Sequence, residues 1–355
     1  MKRIQVRDMA FYARQRSGRN KLPSYSTEYA AGQQSSFFKL GWISASRRRQ
    51  MVVPFSSNTA LPEILDPATE NLMPHPIKNV HAKPRTKPPV AGADLQAAID
   101  PTATAPEMSS FKVLTVNIHK GFTFFNRKFI LSELRDAVRT VGADVVFLQE
   151  VAGSHLKHGQ KFDNYPNQPH YEYLADSIWD QFAYGRNAVY TNGHHGNAML
   201  SKFPIVRYEN RDISISGPER RGMLHCELQV PGHSHTVHAI CVHLGLVETH
   251  RTQQMKLLCD MVRKEIPARS PVVVAGDFND WRRRAHAQMA RDANMHEVFV
   301  QANGHAARTF PARLPLLQLD RIYVRNAIGH SPIVLPSHPW SHLSDHAPLA
   351  AEIRF

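Results

Sequence analysis

The chain has 355 residues, of which 42% are hydrophobic, so its length suits two domains or one large domain with a sizeable core. Its formal net charge of +13 favours anionic partners, namely phosphates, nucleic acid or an anionic membrane surface, and does not choose among them. The sequence has no apolar run of about 18 residues and no apolar segment behind its basic start, which argues against a transmembrane helix and a secretory signal.

Residues 1–108 differ in composition from the rest of the chain. They hold 15 basic residues, 8 acidic residues and 11 of the 24 prolines, without helical or strand periodicity. Such a segment cannot bury enough apolar surface to offset the entropy that it would lose on ordering. We therefore predict a disordered or weakly structured, basic, proline-rich segment at 1–108 and a folded domain at 109–355. Three origins fit the first segment: a true tail, a targeting segment, or a mis-assigned start upstream of Met108.

The folded domain opens with a strand signal, a helix signal and a second strand signal. The β-branched residues of 111–117 predict a strand. The apolar residues that follow have helical spacing and predict a helix over about 127–141, with Asn126 as its N-cap. A short buried strand is predicted at 143–149.

Further elements show the same two periodicities towards the end of the chain. They are antiparallel strands at 223–230 and 235–244, an amphipathic helix at about 248–266, and buried strands at 271–276 and 319–324. A turn at Ser344 precedes a last strand. Strands outnumber helices and hairpins mix with helical crossovers, so the sequence predicts an α+β domain.

Polar side chains stand at the ends of these buried strands. Buried polar groups are costly unless they are paired or bind a ligand, and their convergence at strand ends is typical of an active site. Because residues i and i+2 of a strand share a face, Asn117 should point with His119, and Asp277 with Asn279. The set comprises Asn117, His119, Glu150, His243, Asp277, Asn279, Asp280, Asp320, Asp345 and His346.

This set of side chains favours a particular chemistry. Carboxylate and amide oxygens make a hard site that suits Mg²⁺ or Mn²⁺ better than zinc, and a substrate phosphate completes the shell of magnesium. Two histidines and an aspartate are left for proton transfer and phosphate binding. Phosphoryl transfer needs positioning and charge neutralisation above all, and these residues can supply both.

The three cysteines carry a separate signal. Cys226, Cys241 and Cys259 form no CxxC pair, and their odd number and wide spacing favour buried thiols in a reducing compartment. We therefore predict a cytoplasmic location. A cysteine-based metal site or nucleophile is disfavoured by the same spacing.

Seven segments of the chain resemble the endonuclease/exonuclease/phosphatase superfamily and occur in its order. They are TVNIHKG, FLQE, GNAMLSKFP, CVHLGL, GDFND, LDRIYV and SDHAPL. The superfamily includes deoxyribonuclease I, abasic-site endonucleases, sphingomyelinases and inositol-polyphosphate 5-phosphatases. NIHKG and GDFNDW resemble an uncharacterised bacterial branch, and the similarity extends to a branch linked with remodelling of lipid anchors.

The resemblance covers about 109–355 and implies a fold and an activity for that domain. The implied fold is a four-layer α/β/β/α sandwich of two mixed sheets, like that of deoxyribonuclease I. The implied activity is that of a metal-dependent phosphoric ester hydrolase, more narrowly a Mg²⁺-dependent phosphodiesterase in which water attacks the phosphorus.

The matched motifs imply a metal site. Glu150 matches the principal metal ligand, Asn117 an amide beside the metal and phosphate, and Asp345 an outer carboxylate on the metal side. One position departs from the pattern, because abasic-site endonucleases carry Asp where this chain has His119. This difference argues against an abasic-site endonuclease and favours the phosphodiesterase branches that contain histidine at the site. For His119 itself a structural role is favoured over a role as a ligand, since most buried polar groups are simply hydrogen-bonded.

The motifs also imply catalytic residues. Asp277 matches the residue that orients or deprotonates the attacking water, and Asn279 contacts the scissile phosphate. His346 matches the catalytic histidine, and Asp320 the carboxylate that holds its tautomer. His243 matches the histidine that deoxyribonuclease I and sphingomyelinases use in acid–base work.

Substrate contacts are less specified by the sequence. We predict phosphate contacts from Asn197 and Arg221, although Arg221 also fits ordinary surface charge. The run 281–284 (WRRR) fits a phosphate contact and a solvated face equally well.

The sequence is compatible with three functions. The leading one is a phosphodiesterase acting on a phospholipid, another small phosphodiester or nucleic acid. The second is a phosphomonoesterase for phosphoinositide-like substrates. The third is a non-catalytic binding protein on the same fold.

Overall fold

The computed structural model describes residues 110–123, 128–155 and 157–355 of the chain. The segment predicted at 1–108 and the predicted N-cap Asn126 lie outside the described residues. Within the described ranges, no helix is long and apolar enough to cross a bilayer.

Twelve strands run through the described part of the chain. They are β1 (Ser110–Asn117), β2 (Val145–His155), β3 (Gln181–Tyr190), β4 (Gly193–Ser201), β5 (Ile205–Asp212), β6 (Gly222–Leu228), β7 (Val237–His243), β8 (Val272–Asp277), β9 (His296–Glu297), β10 (Asp320–Arg325), β11 (Ile328–Val334) and β12 (Leu349–Arg354).

Seven α-helices and one 3₁₀ turn connect these strands. The helices are α1 (Leu131–Val141), α2 (His158–Lys161), α3 (His170–Ala175), α4 (Glu248–Lys264), α5 (Ala285–Ala293), α6 (Val298–Asn303) and α7 (Ser337–Leu343), and the 3₁₀ turn is His119–Gly121.

The strands form two mixed sheets of six strands each. The first has the order β11-β12-β1-β2-β4-β3 and the second the order β5-β6-β7-β8-β10-β9. Each sheet has one central parallel pair, β1 with β2 and β7 with β8, and its other pairs are antiparallel. The parallel pairs bring the carboxyl ends of four central strands to common edges, and the polar residues of the sequence stand there.

Three apolar clusters hold the layers together. One lies between the sheets, where Val113 and Phe147 of the first sheet meet Leu224 and Ile322 of the second. The others lie outside the sheets, against α1, α3 and α7 on one side and against α4 and α5 on the other. Full burial of one such side chain contributes about 1.5–3 kcal/mol. The predicted α+β sandwich of helix, sheet, sheet and helix layers is thus confirmed.

One predicted helix boundary is wrong. The helix predicted over about 127–141 begins later, at Leu131. Directly before it, Phe129 forms an isolated antiparallel bridge with Phe122, and the amide of Ile130 donates to the carbonyl of Gly121 at 2.8 Å. Because this bond ties the residue before the helix to an upstream turn, the residues just ahead of Leu131 do not join the helical ladder.

A buried histidine of α3 makes the stability of the fold depend on pH. The ring of His170 packs against Phe129 and Tyr165, and burial, followed by the nearby histidines, lowers its pKa from 6.5 to about 3. Below pH 6.5 the unfolded chain therefore takes up a proton that the folded chain refuses. Stability falls by up to about 1.4 kcal/mol per pH unit in this window, because the folded pKa is depressed.

We expect His170→Phe to remove this dependence. When the pH is lowered from about 8 to about 5, the free energy of unfolding of the wild type should fall by about 2 kcal/mol more than that of the variant. Urea denaturation at the two pH values measures the difference. His296→Phe is the control, because the side chain of His296 is exposed on β9. An equal difference for both variants would contradict the assignment.

Candidate active site

Eight of the predicted site residues meet at one edge of the sandwich. Each of the eight is at most 5% exposed, so their polar groups are shielded from bulk water. Three of them lie side by side across the second sheet, since Asp277 of β8 is in register with His243 of β7 and with Asp320 of β10. The structure brings together Asn117, Glu150, His243, Asp277, Asn279, Asp320, Asp345 and His346.

Asn117 connects the two sheets at this edge. Its Nδ2 lies 3.4 Å from Oε1 of Glu150 in the first sheet and 3.3 Å from Oδ2 of Asp277 in the second. Its Oδ1 accepts a hydrogen bond of 3.1 Å from the amide of His119. The hydroxyl of Ser344 donates to the Asn117 carbonyl at 2.5 Å and accepts from the His346 amide at 3.0 Å. A single amide thereby fixes the spacing of two carboxylates that belong to different layers.

Glu150 points into the site because β2 is irregular at this residue. Its φ of 56° lies in the left-handed region, and the register between β2 and β4 shifts between Leu148 and Val151. A bulge of this kind re-aims a side chain, and the strain is offset by the surrounding structure. The ammonium of Lys120 lies 3.1 Å from Oε2 of Glu150. The carboxylate therefore already faces a cationic group.

His346 forms a pair with Asp320. Its Nδ1 lies 2.8 Å from Oδ2 of Asp320, and its Nε2 lies 3.8 Å from Oδ2 of Asp277. Burial by itself would lower the pKa of His346, but the charges of Asp320 and Asp277 outweigh burial and raise that pKa to about 10. The ring of Phe310 lies 5.0 Å from the imidazole and limits its rotation.

A second imidazole approaches the same aspartate from the neighbouring strand. Nε2 of His243 lies 3.5 Å from Oδ2 of Asp277. The two strands run this close because residue 276 is glycine, and a Cβ there would lie 2.0 Å from the carbonyl oxygen of Val242. Two imidazoles, from His243 and His346, thus flank one carboxylate.

The residues two positions beyond the strand ends are placed by turns and not by a shared strand face. The strand interpretation is wrong here, because β1 ends at Asn117 and β8 ends at Asp277. His119 and Asn279 have φ values of 45° and 48°, in the left-handed region. The amide of Asn279 donates to Oδ1 of Asp277 at 2.9 Å, and its side-chain amide donates to the Leu244 carbonyl at 2.9 Å. Asn279 is nevertheless held against Asp277, as the turn closes on the carboxylate.

The two predicted phosphate contacts are engaged with the protein. Nδ2 of Asn197 donates to the carbonyls of Gly222 and Cys241, at 2.9 and 3.3 Å. These bonds use both amide hydrogens of Asn197 to join the first sheet to the second. The guanidinium of Arg221 donates to the Leu244 carbonyl at 3.1 Å and to Glu219 at 2.8 Å. A phosphate contact stays a prediction for both residues. To make it, each side chain would have to rotate away from its present hydrogen-bond partners.

Lys120 is the residue at the site that sequence reasoning left without a role. It lies in the NIHKG segment, on a turn with φ of 55°, and a single lysine in a turn carries no periodic signal. Its contact with Glu150 depends on the first sheet being assembled. The neighbouring His195 has a pKa lowered to about 3 by burial and by the charge of Lys120.

The donors fit a hard divalent cation. Four buried carboxylates share the edge, with the ammonium of Lys120 at Glu150 and the imidazole of His346, whose pKa is raised to about 10, at Asp320. A second grouping, of Asp277, Asp320 and His346, also has ligand atoms within 4.8 Å of one another. We favour the carboxylate of Glu150 over that grouping, because carboxylate and amide oxygens suit a hard divalent cation better than an imidazole does.

Comparisons with known proteins show the family of the chain. The sequence profile of the Endonuclease/Exonuclease/phosphatase family matches residues 114–346. The uncharacterized protein YbhP of Escherichia coli (strain K12) is 58% identical over 244 residues, which cover 69% of this chain and 96% of YbhP.

Two solved structures share the fold. The endonuclease/exonuclease/phosphatase from Beutenbergia cavernae DSM 12333 has a TM-score of 0.54 at 18% identity and covers 69% of this chain and 72% of that one. D. rerio TDP2 complexed with single strand DNA product has a TM-score of 0.51 at 17% identity and covers 70% of this chain and 100% of that one. At these identities the likeness concerns the fold. The profile match spans more than half of the sequence. The chain therefore belongs to the Endonuclease/Exonuclease/phosphatase family and is a phosphoric ester hydrolase that depends on a divalent metal.

Proposed function

We propose that the protein is a Mg²⁺-dependent phosphodiesterase in which water attacks the phosphorus. The observation that carries the proposal is the pair of imidazoles, from His243 and His346, on either side of the Asp277 carboxylate. Hydrolysis of a diester needs a base for the attacking water and an acid for the leaving oxygen. One carboxylate between two imidazoles offers both within one site.

In this proposal Mg²⁺ is held on the Glu150 side of the site. Glu150 is the principal ligand, with Asn117 beside it and Asp345 as an outer carboxylate. When bound, the metal neutralises charge on the phosphoryl group. The oxygen donors support magnesium, since Mg²⁺ takes one or two protein carboxylates and leaves the rest of its shell to water and phosphate. The same oxygen donors can also bind Mn²⁺.

The remaining side chains move protons and hold the phosphate. Asp277 orients the attacking water and accepts its proton, while Asn279 contacts the scissile phosphate. Nδ1–H of His346 donates to Asp320, so Nε2 faces the reacting phosphate. His243 gives a proton to the leaving oxygen as the bond between phosphorus and that oxygen breaks. Rapid transfer within the site requires that these groups stay in place, and their burial supports this.

The rim of the site favours a small phosphodiester or a phospholipid head group over a long polyanion. Arg282 and Arg284 lie 3.7 and 3.2 Å from carboxylate oxygens of Glu248, and Arg221 is paired with Glu219. Much of the positive charge beside the site is thus neutralised by the protein itself. Nucleic acid binding draws on unpaired cations and stacking aromatics along a groove. The net charge of +13 suits an anionic membrane surface and nucleic acid alike, so the preference for a lipid or small substrate rests on the paired cations of the rim.

The cysteines support a cytoplasmic location. Cys226, Cys241 and Cys259 are buried free thiols. Burial raises the pKa of Cys241 and of Cys259 to about 12, which keeps these sulfurs unreactive. Free thiols are typical of proteins in a reducing compartment.

A substrate panel tests the proposal. The chelator-stripped enzyme should be inactive, and added Mg²⁺ should restore cleavage of bis-p-nitrophenyl phosphate at a rate at least about 10-fold above that of the monoester p-nitrophenyl phosphate. Phospholipids, phosphoinositides, DNA and RNA are then compared by product analysis. We expect lipid head-group release and no inorganic phosphate.

Each alternative gives a different result in the same panel. Release of inorganic phosphate from phosphoinositides would make the protein a phosphomonoesterase. Nicking of DNA that falls steeply with salt would make nucleic acid the substrate. Magnesium binding with no turnover of any class would indicate a binding protein. Equal rates of hydrolysis with and without chelator would contradict the proposed dependence on a metal.

A further inference from the structure

A second group of metal-ligand side chains lies on the second sheet. His225 and Glu227 of β6 and His238 of β7 each offer one ligand atom, and these atoms all lie within 4.8 Å of one another. Leu224 and Cys226 of the same strand point into the core between the sheets. Because side chains alternate along a strand, His225 and Glu227 share the opposite, outer face.

The three ligand atoms are nearly placed for coordination. Nε2 of His225 and Nδ1 of His238 are 2.9 Å apart. Two nitrogens on a tetrahedral metal, each about 2.05 Å from it, are roughly 3.3 Å apart. Small rotations of the two rings would therefore open the pair around an ion. Glu227 is the direct cross-strand neighbour of His238, which puts its carboxylate on the third side.

This group is separate from the active site. His238 stands near the start of β7 and His243 at its end. Five residues of strand span roughly 16 Å. The donors also differ, since two imidazoles and one carboxylate suit zinc and similar ions, whereas the oxygen-rich edge suits magnesium.

The protonation states and neighbouring charges allow a cation here. Burial, followed by the neighbouring His238, lowers the pKa of His225 to about 4, and burial also lowers the pKa of His238. Both rings are thus neutral near pH 7, as metal binding requires. Glu227 is 3.6 Å from Arg207, whose side chain is 71% exposed, so this ion pair is weak and easily exchanged.

The other nearby charges are largely compensated. Arg211 is paired with Glu209, at 3.0 Å, and with Glu265. Glu209 lies opposite His225 in β5 and can approach an ion from the edge of the sheet. Arg325 donates to the main-chain carbonyls of Val262 and Pro267, at 2.9 Å each. Within the described part of the chain, it forms no ion pair with Glu227.

We propose that His225, Glu227 and His238 form a zinc-binding site that ties β6 to β7 and stabilises the second sheet. Other divalent transition ions that favour imidazole, such as Co²⁺ and Ni²⁺, bind the same donors. The fourth position is taken by water or by Glu209. The site is independent of the reaction at the opposite ends of these strands.

Zinc titration of the full, metal-stripped chain in excess Mg²⁺ tests the site. One zinc ion should bind, and thermal unfolding should shift upward by about 5 °C or more when zinc is about 100-fold above its Kd. His225→Gln and His238→Gln should each weaken zinc binding at least about 10-fold and abolish the shift. Mg²⁺-dependent hydrolysis should stay unchanged in both variants.

Two controls locate the ion. His235→Gln, in the exposed turn between β6 and β7, should bind zinc as the wild type does. Glu150→Gln should do the same, because Glu150 belongs to the other site. Zinc affinity within two-fold of the wild type in the His225 and His238 variants would overturn the proposal.

A measurement on the unaltered chain covers the case in which a variant does not fold. Exchange of the histidine C2 hydrogen for deuterium, read by mass spectrometry residue by residue, slows when a ring binds a metal. Zinc should slow this exchange at His225 and His238 and leave His235 unaffected. Slowing at other histidines without these two would place zinc elsewhere and refute the site.

Discussion

Replacing Glu150 with glutamine is expected to lower kcat by about 10³-fold or more, which corresponds to roughly 4 kcal/mol of transition-state stabilisation. The substitution keeps the size of the side chain and removes the charge beside Asn117 and Lys120. Magnesium affinity should fall together with the rate, because a neutral amide is a poor substitute for the principal carboxylate. Steady-state hydrolysis of bis-p-nitrophenyl phosphate and calorimetric titration of Mg²⁺ measure the two effects.

Glu133→Gln is the matched control for this prediction. Glu133 lies on α1 with its side chain 42% exposed, and it pairs with Lys128 and with the hydroxyl of Ser132. The control should keep the rate and the magnesium affinity of the wild type. Wild-type magnesium affinity in the Glu150→Gln variant would contradict the proposed ligand and leave a catalytic role of another kind.

Removing either member of the His346 and Asp320 pair is expected to disable the enzyme, and removing both should cost little more than removing His346. His346→Gln should lower kcat by about 10²–10⁴-fold, the usual contribution of a positioned proton-transfer group. Asp320→Asn should lower it less, because the imidazole stays in place and loses the acceptor that sets its tautomer. The effects should be strongly non-additive, since Asp320 acts through His346.

The comparison of single and double variants decides this prediction. His342→Gln is the control, because His342 is exposed on α7, only a few residues before the site. It should keep the rate of the wild type. If the losses of the two single variants multiply in the double variant, Asp320 acts independently of His346 and the positioning role is wrong. Circular dichroism of each variant confirms that the fold is intact.

The sequence by itself determined the layout of the strands that carry the site. β1, β2, β6, β7, β8 and β10 were predictable because each is a short run of buried, β-rich residues, and the antiparallel pairing of β6 with β7 followed from their short connection. The polar residues at strand ends were predictable as well. Burying a carboxylate at the end of an apolar strand costs free energy unless it is paired or binds a ligand, and the sequence alone shows where such carboxylates lie.

Other elements were invisible in the sequence. β3, β4 and β5 mix polar, aromatic and glycine residues and have no clean period, so their pairing is decided by neighbouring strands. The start of α1 was misplaced because its last upstream residue bonds back to an earlier turn. Local periodicity contains no information about such bonds.

Only the tertiary structure decided which polar groups touch. Asn117 reaches Asp277 although the two residues are 160 positions apart, and it does so because two separate sheets pack face to face. Lys120 at Glu150 and the cluster of His225, Glu227 and His238 arise in the same way, from strand register and a bulge. The sequence specifies which residues are costly to bury and where strands run. The distances among those residues depend on how whole layers pack, and this follows from the sum of many apolar contacts that no single motif encodes.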